Sequence, residues 1–185
     1  MTTRHHPFHL YLDDTVYFLT ARVHSGFPVF NSDEKKGMLL SWIKKVFSDV
    51  GFALYAWVIL NNHYHLAFKT SRGRDFPRAF QVIHGRCSYE VNKLDDCRGR
   101  KIFQNFWDRC IRDQRDFYVH LNYVHHNPVK HGYVTRMDEY AFSSYKYWCD
   151  KRSEEWVRGC LEAFPIVDFS LEQDDETPKA NSKSG

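Results

Sequence analysis

Hydrophobic positions along the chain change period several times, and each change marks an element. Residues 15–23 are dense in β-branched and aromatic side chains and stop at Ser25-Gly26, which predicts a strand. From Asn31-Ser32-Asp33 the period lengthens, with an acid next in line at Glu34 and Leu39, Leu40, Ile43, Val46 and Phe47 at helical spacing. Gly51 closes that helix. Residues 52–60 end in an unbroken apolar run, Asn61-Asn62 signals a turn, and 63–70 alternate again, predicting two adjacent strands. A basic loop at 71–75 leads into a second helix over 76–94, striped by Phe80, Ile83 and Cys87. After a polar loop at 95–99, residues 101–104 are expected to form a short fourth strand. Residues 116–127 form a third helix, stopped by Pro128.

The order strand, helix, strand, strand, helix, strand is the split-βαβ plan. It predicts an α+β, ferredoxin-like antiparallel sheet with two helices on one face. The third helix would lie near the other, open face. With 185 residues the chain is expected to form one domain over 1–165, followed by a flexible acidic tail over 166–185.

Composition narrows the class. Hydrophobic residues make up 43% and aromatics 17%, which argues for a packed globule. No apolar run approaches the length of a membrane span, and the N-terminus has no signal-like core, so a cytoplasmic protein is expected. Five cysteines with no Cys-x-x-Cys spacing argue against a disulfide framework or a zinc knuckle. The net charge is +3; the last fifteen residues hold four acids and two lysines, so the first 170 carry +5. Basic residues gather at Arg72, Arg74, Arg78 and Arg86, and again at Arg98, Arg100 and Lys101, with aromatics including Trp107 between and beyond them. Such surfaces suit single-stranded nucleic acid, whose bases stack on aromatic rings.

The chemistry concentrates at two places. Because strand side chains alternate, His63 and His65 share one face, about 7 Å apart along the chain, while Tyr64, Leu66 and Phe68 face a core. Such a pair can grip a metal ion between neighbours. Three histidines near the N-terminus, His5, His6 and His9, look like another cluster but are expected to be solvated. On the third helix, Asp116, His120, Tyr123 and Asn127 form a polar stripe beside Phe117, Leu121 and Val124. Tyr123 and Asn127 are one turn apart, so a phenol nucleophile could lie beside a third ligand. Tyr118 and Asn122 have the same spacing on the other flank, and helix geometry does not choose between the pairs.

The histidine triplet, the aromatic segment 103–108, the run from Tyr123 to Gly132 containing Asn127-Pro128, and the later Phe142-Ser143-Ser144 together resemble the REP-associated tyrosine transposases. These are single-tyrosine members of the HUH nucleases. The likeness covers roughly residues 10–148. It implies that Tyr123, four residues before the Asn-Pro asparagine, is the nucleophile, and that His63, His65 and Asn127 hold a divalent ion. The chain has Asn61-Asn62 where the family usually has a proline-containing turn, and His126, His120 or a glutamate remain alternatives to Asn127. Mixed nitrogen and oxygen donors with a phosphate substrate suggest Mg²⁺ or Mn²⁺. The resemblance implies cleavage and rejoining of single-stranded DNA at REP-type hairpins through a phosphotyrosine, by a monomer or a dimer, with monomer expected. The competing expectation is a non-catalytic module that binds structured single strands.

Overall fold

The computed structural model describes residues 11–169, so the expectations for His5, His6, His9 and for 170–185 lie outside the described residues. Four strands form one sheet: β1 (Val16–Arg22), β2 (Ala53–Ile59), β3 (His63–Lys69) and β4 (Trp107–Cys110). Their order is β2-β3-β1-β4 and the three pairings are antiparallel, as the split-βαβ plan requires.

Two helices cover one face. The first, α1 (Asp33–Val50), begins at Ser32, whose side chain accepts the Lys35 amide, and ends at Gly51 with φ 73°, which favours glycine. The second, α2 (Phe76–Leu94), has Pro77 in its first turn. Between them and the sheet lies a dry core in which Phe47, Phe68, Phe76 and Phe80 meet at ring-centroid distances of 4.9–5.9 Å. Tyr64, Leu66 and Phe68 all point into it, as alternation predicts.

The opposite face is covered by α3 (Gln114–Lys130), with α4 (Tyr145–Arg152) and α5 (Glu154–Ala163) alongside. Its cluster joins Phe18, Ala56, Val58 and Ala67 of the sheet to Val119, Tyr123 and Val124 of α3. The segment 140–148 runs along the outer edge of β2: Tyr140 Oη donates to Ile59 O at 2.7 Å, and Ser144 exchanges backbone and side-chain bonds with Trp57. That contact covers an edge which would otherwise expose unpaired backbone groups.

Three expectations need correction. The fourth strand is not 101–104; Phe103 makes only an isolated bridge with Val23, and the paired segment is Trp107–Cys110. The chain alternates too weakly at 105–110 for periodicity to find it. The third helix does not stop at Pro128 but runs to Lys130. Proline removes a donor and crowds the preceding turn, yet near a helix end the loss is small, and the buried neighbours Val124 and Asn127 hold the backbone helical. The beginning of the acidic tail, which was expected to be flexible, packs instead: Phe169 is buried and Asp168 bonds Lys130 at 2.6 Å. Helices α4 and α5 had no counterpart in the sequence reading. Among the described residues no helix is long and apolar enough to cross a membrane.

Candidate active site

The antiparallel register aligns Thr20 with His65 and Arg22 with His63, so these four side chains stand on the sheet face beneath α3. Above them α3 presents Tyr123 and Asn127 one turn apart. Arg22, His63, His65 and Tyr123, together with Asn62, Gln104, His131 and residues of the turn at 23–26, line a cavity of about 660 Å³.

Each imidazole is held by its Nδ1 atom. His65 Nδ1 lies 2.8 Å from Thr20 Oγ1. His63 Nδ1 lies 2.7 Å from Asn62 Oδ1, and the Asn62 amide donates from Nδ2 to Gly26 O at 3.2 Å. The Gly26 carbonyl therefore fixes which end of the amide meets His63. Oδ1 can only accept, so His63 Nδ1 carries the proton and Nε2 keeps its lone pair; these tautomers follow from the partners. Burial, then the nearby His131, brings the His63 pKa down to about 4, so the ring is neutral at pH 7. Burial likewise holds His65 well below the usual histidine range.

His63 Nε2 faces Asn127 Oδ1 at 3.2 Å. A lone pair facing a carbonyl oxygen is relieved either by a cation that both atoms ligate or by an amide turned so that Nδ2 donates to it. His65 Nε2 is buried with no hydrogen-bond partner among the described residues. Buried polar atoms are seldom left so. The donor set, two imidazole nitrogens and a carboxamide oxygen, thus fits a divalent ion. Among the described residues no three His, Cys, Asp or Glu side chains form a metal cluster. Of the alternatives, His120 is held at Asp116 and stacks on Phe169 at 4.1 Å.

Helix α3 separates the two tyrosine–asparagine pairs. The Tyr123 ring meets His65 edge-on at 5.1 Å. Tyr118 turns away and stacks on Phe164 at 4.9 Å, while Asn122 donates to the carbonyls of Cys160 and Phe164 at 2.9 Å each. Burial raises the Tyr123 pKa to about 12, against a lowering by the Asn127 side chain and Arg22. Lys130 Nζ lies 5.4 Å over the Tyr123 ring, and the Phe169 ring meets it edge-on at 5.2 Å.

The basic residues divide. Arg98, Arg100 and Lys101 follow α2 at the His63 end of the sheet, where His24 N donates to Ile102 O. Arg72 and Arg74 lie beyond the other end of β3, about 20 Å from His63 at a strand's rise per residue, with Arg78 and Arg86 on the exposed side of α2 between. Arg100 is tied to Asp95 at 2.6 Å and to Asn92 at 2.9 Å, so it braces the loop. Trp107 stands on the α3 face of β4 against Phe18.

The sequence reading missed Thr20, Arg22, Asn62, Lys130 and His131. Thr20 and Arg22 carry no local signal, because only strand register brings them beside the histidines. Asn62 was read as a turn residue alone, and His131 and Lys130 stood inside the quoted run without a role.

No protein-family model matches the chain. A REP-associated tyrosine transposase from Escherichia coli is 33% identical over 110 residues, which span 58% of this chain and 63% of that protein, short of two-thirds of its length. A protein placed in the same group, from Haemophilus influenzae, is 27% identical over 137 residues, covering 64% of this chain and 77% of its own. A solved structure described as a REP-associated tyrosine transposase bound to a REP hairpin superposes with a TM-score of 0.70 at 25% identity, covering 90% of this chain and 95% of that one.

Proposed function

We infer that the chain is a REP-associated tyrosine transposase, as its likeness to such proteins supports, and propose that it cleaves and rejoins single-stranded DNA at REP-type hairpins. Tyr123 is the nucleophile in this reading. Its oxygen attacks the scissile phosphorus, the bond to the 3′ oxygen breaks, and the phenolic proton is lost as the departing oxygen becomes a free 3′-hydroxyl. The phosphotyrosine keeps the bond energy, so a 3′-hydroxyl can reverse the step without ATP.

The observation that carries this reading is that Tyr123, His63 and His65 line one cavity, with the Asn127 side chain 3.2 Å from His63 Nε2. His63, His65 and Asn127 would hold Mg²⁺ or Mn²⁺, which when bound supplies Lewis-acid relief of phosphate charge. Thr20 and Asn62 keep both imidazoles turned with Nε2 toward the cavity. Arg22 and Lys130 place positive charge beside Tyr123, where Arg22 lowers the phenol's pKa and both cations can offset the charge of an arriving phosphate. Arg72, Arg74, Arg78, Arg86, Arg98, Lys101 and Trp107 supply the DNA-facing surface, with Arg100 supporting the loop that presents Lys101. We take the working unit as a monomer.

The test is a labelled single strand containing a REP hairpin, incubated with protein and Mn²⁺ and run on a denaturing gel. A covalent band is expected with the unmodified protein and with Tyr118→Phe, and none with Tyr123→Phe. A band that survives Tyr123→Phe overturns the assignment. No band from the unmodified protein favours a binding module without catalysis.

A further inference from the structure

Two pairs of potential ligands meet at the catalytic cavity. On β3, His63 and His65 share one strand face. On α3, Asn127 and His131 are one turn apart, and the His131 amide donates to Asn127 O at 3.1 Å, so both side chains leave the same side of the helix end. That i, i+4 spacing is the one with which helices present two ligands to zinc. Three of the four residues serve the Mg²⁺ or Mn²⁺ site already described. His131 does not, although its ring lines the cavity beside those of His63 and His65.

The rings are spaced for one ion. Zinc–nitrogen bonds of about 2.0–2.1 Å at tetrahedral angles put the centres of two bound imidazoles about 5 Å apart. The His63 ring centroid lies 5.1 Å from that of His65 and 4.9 Å from that of His131, at interplanar angles of 77° and 68°. As they stand the three do not aim at one point, since among the described residues no three of His, Cys, Asp or Glu form a metal cluster. His131 is the residue that closes the gap. His63 and His65 are engaged through Nδ1 by Asn62 and Thr20. His131 is exposed at the cap of α3, where its ring turns without opening the core.

Ligand type decides which metal gains. Imidazole suits zinc, whereas carbonyl and water oxygens suit Mg²⁺ and Mn²⁺. A third imidazole therefore adds more to zinc affinity than to Mn²⁺ affinity. Three imidazoles with the Asn127 oxygen make four donors, a full tetrahedral set that leaves no position for a phosphate oxygen.

We propose that His131 completes a closed zinc site with His63, His65 and Asn127, and that zinc bound there holds the protein in a state that does not cleave DNA. The inference rests on the reading of His63, His65 and Asn127 as metal ligands, and adds a second ion and a second state to that site.

The test is competition between the full chain and a chromophoric zinc chelator, set beside Mn²⁺ binding followed by the EPR signal of the free ion. His131→Ala is expected to weaken zinc binding by at least the roughly 10–100-fold that loss of an outer partner costs a metal site, and to leave Mn²⁺ affinity unchanged. His131→Cys, which restores a zinc ligand, recovers zinc affinity. His5, His6 and His9 are common to all these proteins, as are Arg22 and Lys130, which repel both ions, so their effects cancel in the comparison. Zinc should also stop Mn²⁺-dependent cleavage, and the concentration that halves each protein's own rate should rise in His131→Ala in the same proportion. Equal zinc affinity of His131→Ala and the unmodified protein overturns the inference, as does an equal loss of zinc and Mn²⁺ binding. Full-rate cleavage by zinc-loaded protein overturns the closed state. If His63→Ala loses Mn²⁺ while His131→Ala keeps zinc, this inference alone falls. If His63→Ala and His65→Ala bind both ions as before, the metal-site reading falls with it.

Discussion

The two faces of the sheet share strands but differ in kind. Beneath α1 and α2 the contacts are phenylalanine on phenylalanine, with Tyr64 and His84 satisfying each other at 2.6 Å. Beneath α3 the buried set includes His65, His120, Asn122, His125, Asn127 and Ser144. Some of these are structural: Asn122 joins α3 to α5, and His125 bonds Ser144 at 2.9 Å to fasten α3 to the segment edging β2. His65 differs: its Nε2 is buried with no hydrogen-bond partner among the described residues, and the ring lines the cavity. Burying polar groups without full hydrogen bonding costs stability. One face therefore stabilises the fold, and the other is free to carry groups that suit a ligand better than the empty protein.

That division gives its own tests, taken from the largest effect downward. His65→Ala or His63→Ala is expected to take DNA cleavage below detection, with hairpin affinity within a few-fold and thermal stability unchanged or higher. A large drop in melting temperature would show that the histidines belong to the structural face after all. Added EDTA should reproduce the loss of cleavage in the unmodified protein.

On the other face, Phe68→Ala removes a ring that meets Phe47, Phe76 and Phe80, and should cost about 3–5 kcal/mol in denaturant unfolding. A loss under about 1 kcal/mol would mean that this core is not what holds the sheet.

A smaller effect comes from acid. Burial lowers the His84 pKa to about 4, below its ordinary value near 6.5, so the neutral ring is the form the fold accepts. The stability it contributes is complete above pH 6.5 and drains away as pH falls through the interval down to 4, reaching about 3 kcal/mol. His84→Gln should flatten the stability profile across that interval; an unchanged slope would assign the acid response to other groups. The smallest effect is expected from Ser144→Ala, about 1–2 kcal/mol, because Trp57 N and His125 both lose a partner.

Much of this division could be read from the sequence, for reasons that differ by residue. Strand alternation alone sends His63 and His65 to one face and Tyr64, Leu66 and Phe68 to the other. Helical spacing put Tyr123 beside Asn127 but could not separate them from Tyr118 and Asn122. That choice depends on which flank of α3 meets the sheet and which meets α5, a matter of long-range packing. The fourth strand was misplaced by about six residues because β4 is short and half-exposed, and pairing with β1 selects it over local preference. Helices α4 and α5 escaped notice since α4 buries none of its residues and so has no apolar stripe to find. Phe169 was placed in a tail by composition, yet one aromatic ring among acids was enough to anchor the chain against His120.

Asn62 donates with one end of its amide to the Gly26 carbonyl and accepts with the other from His63 Nδ1. A change in the backbone of that turn would therefore reach the imidazole through a single side chain.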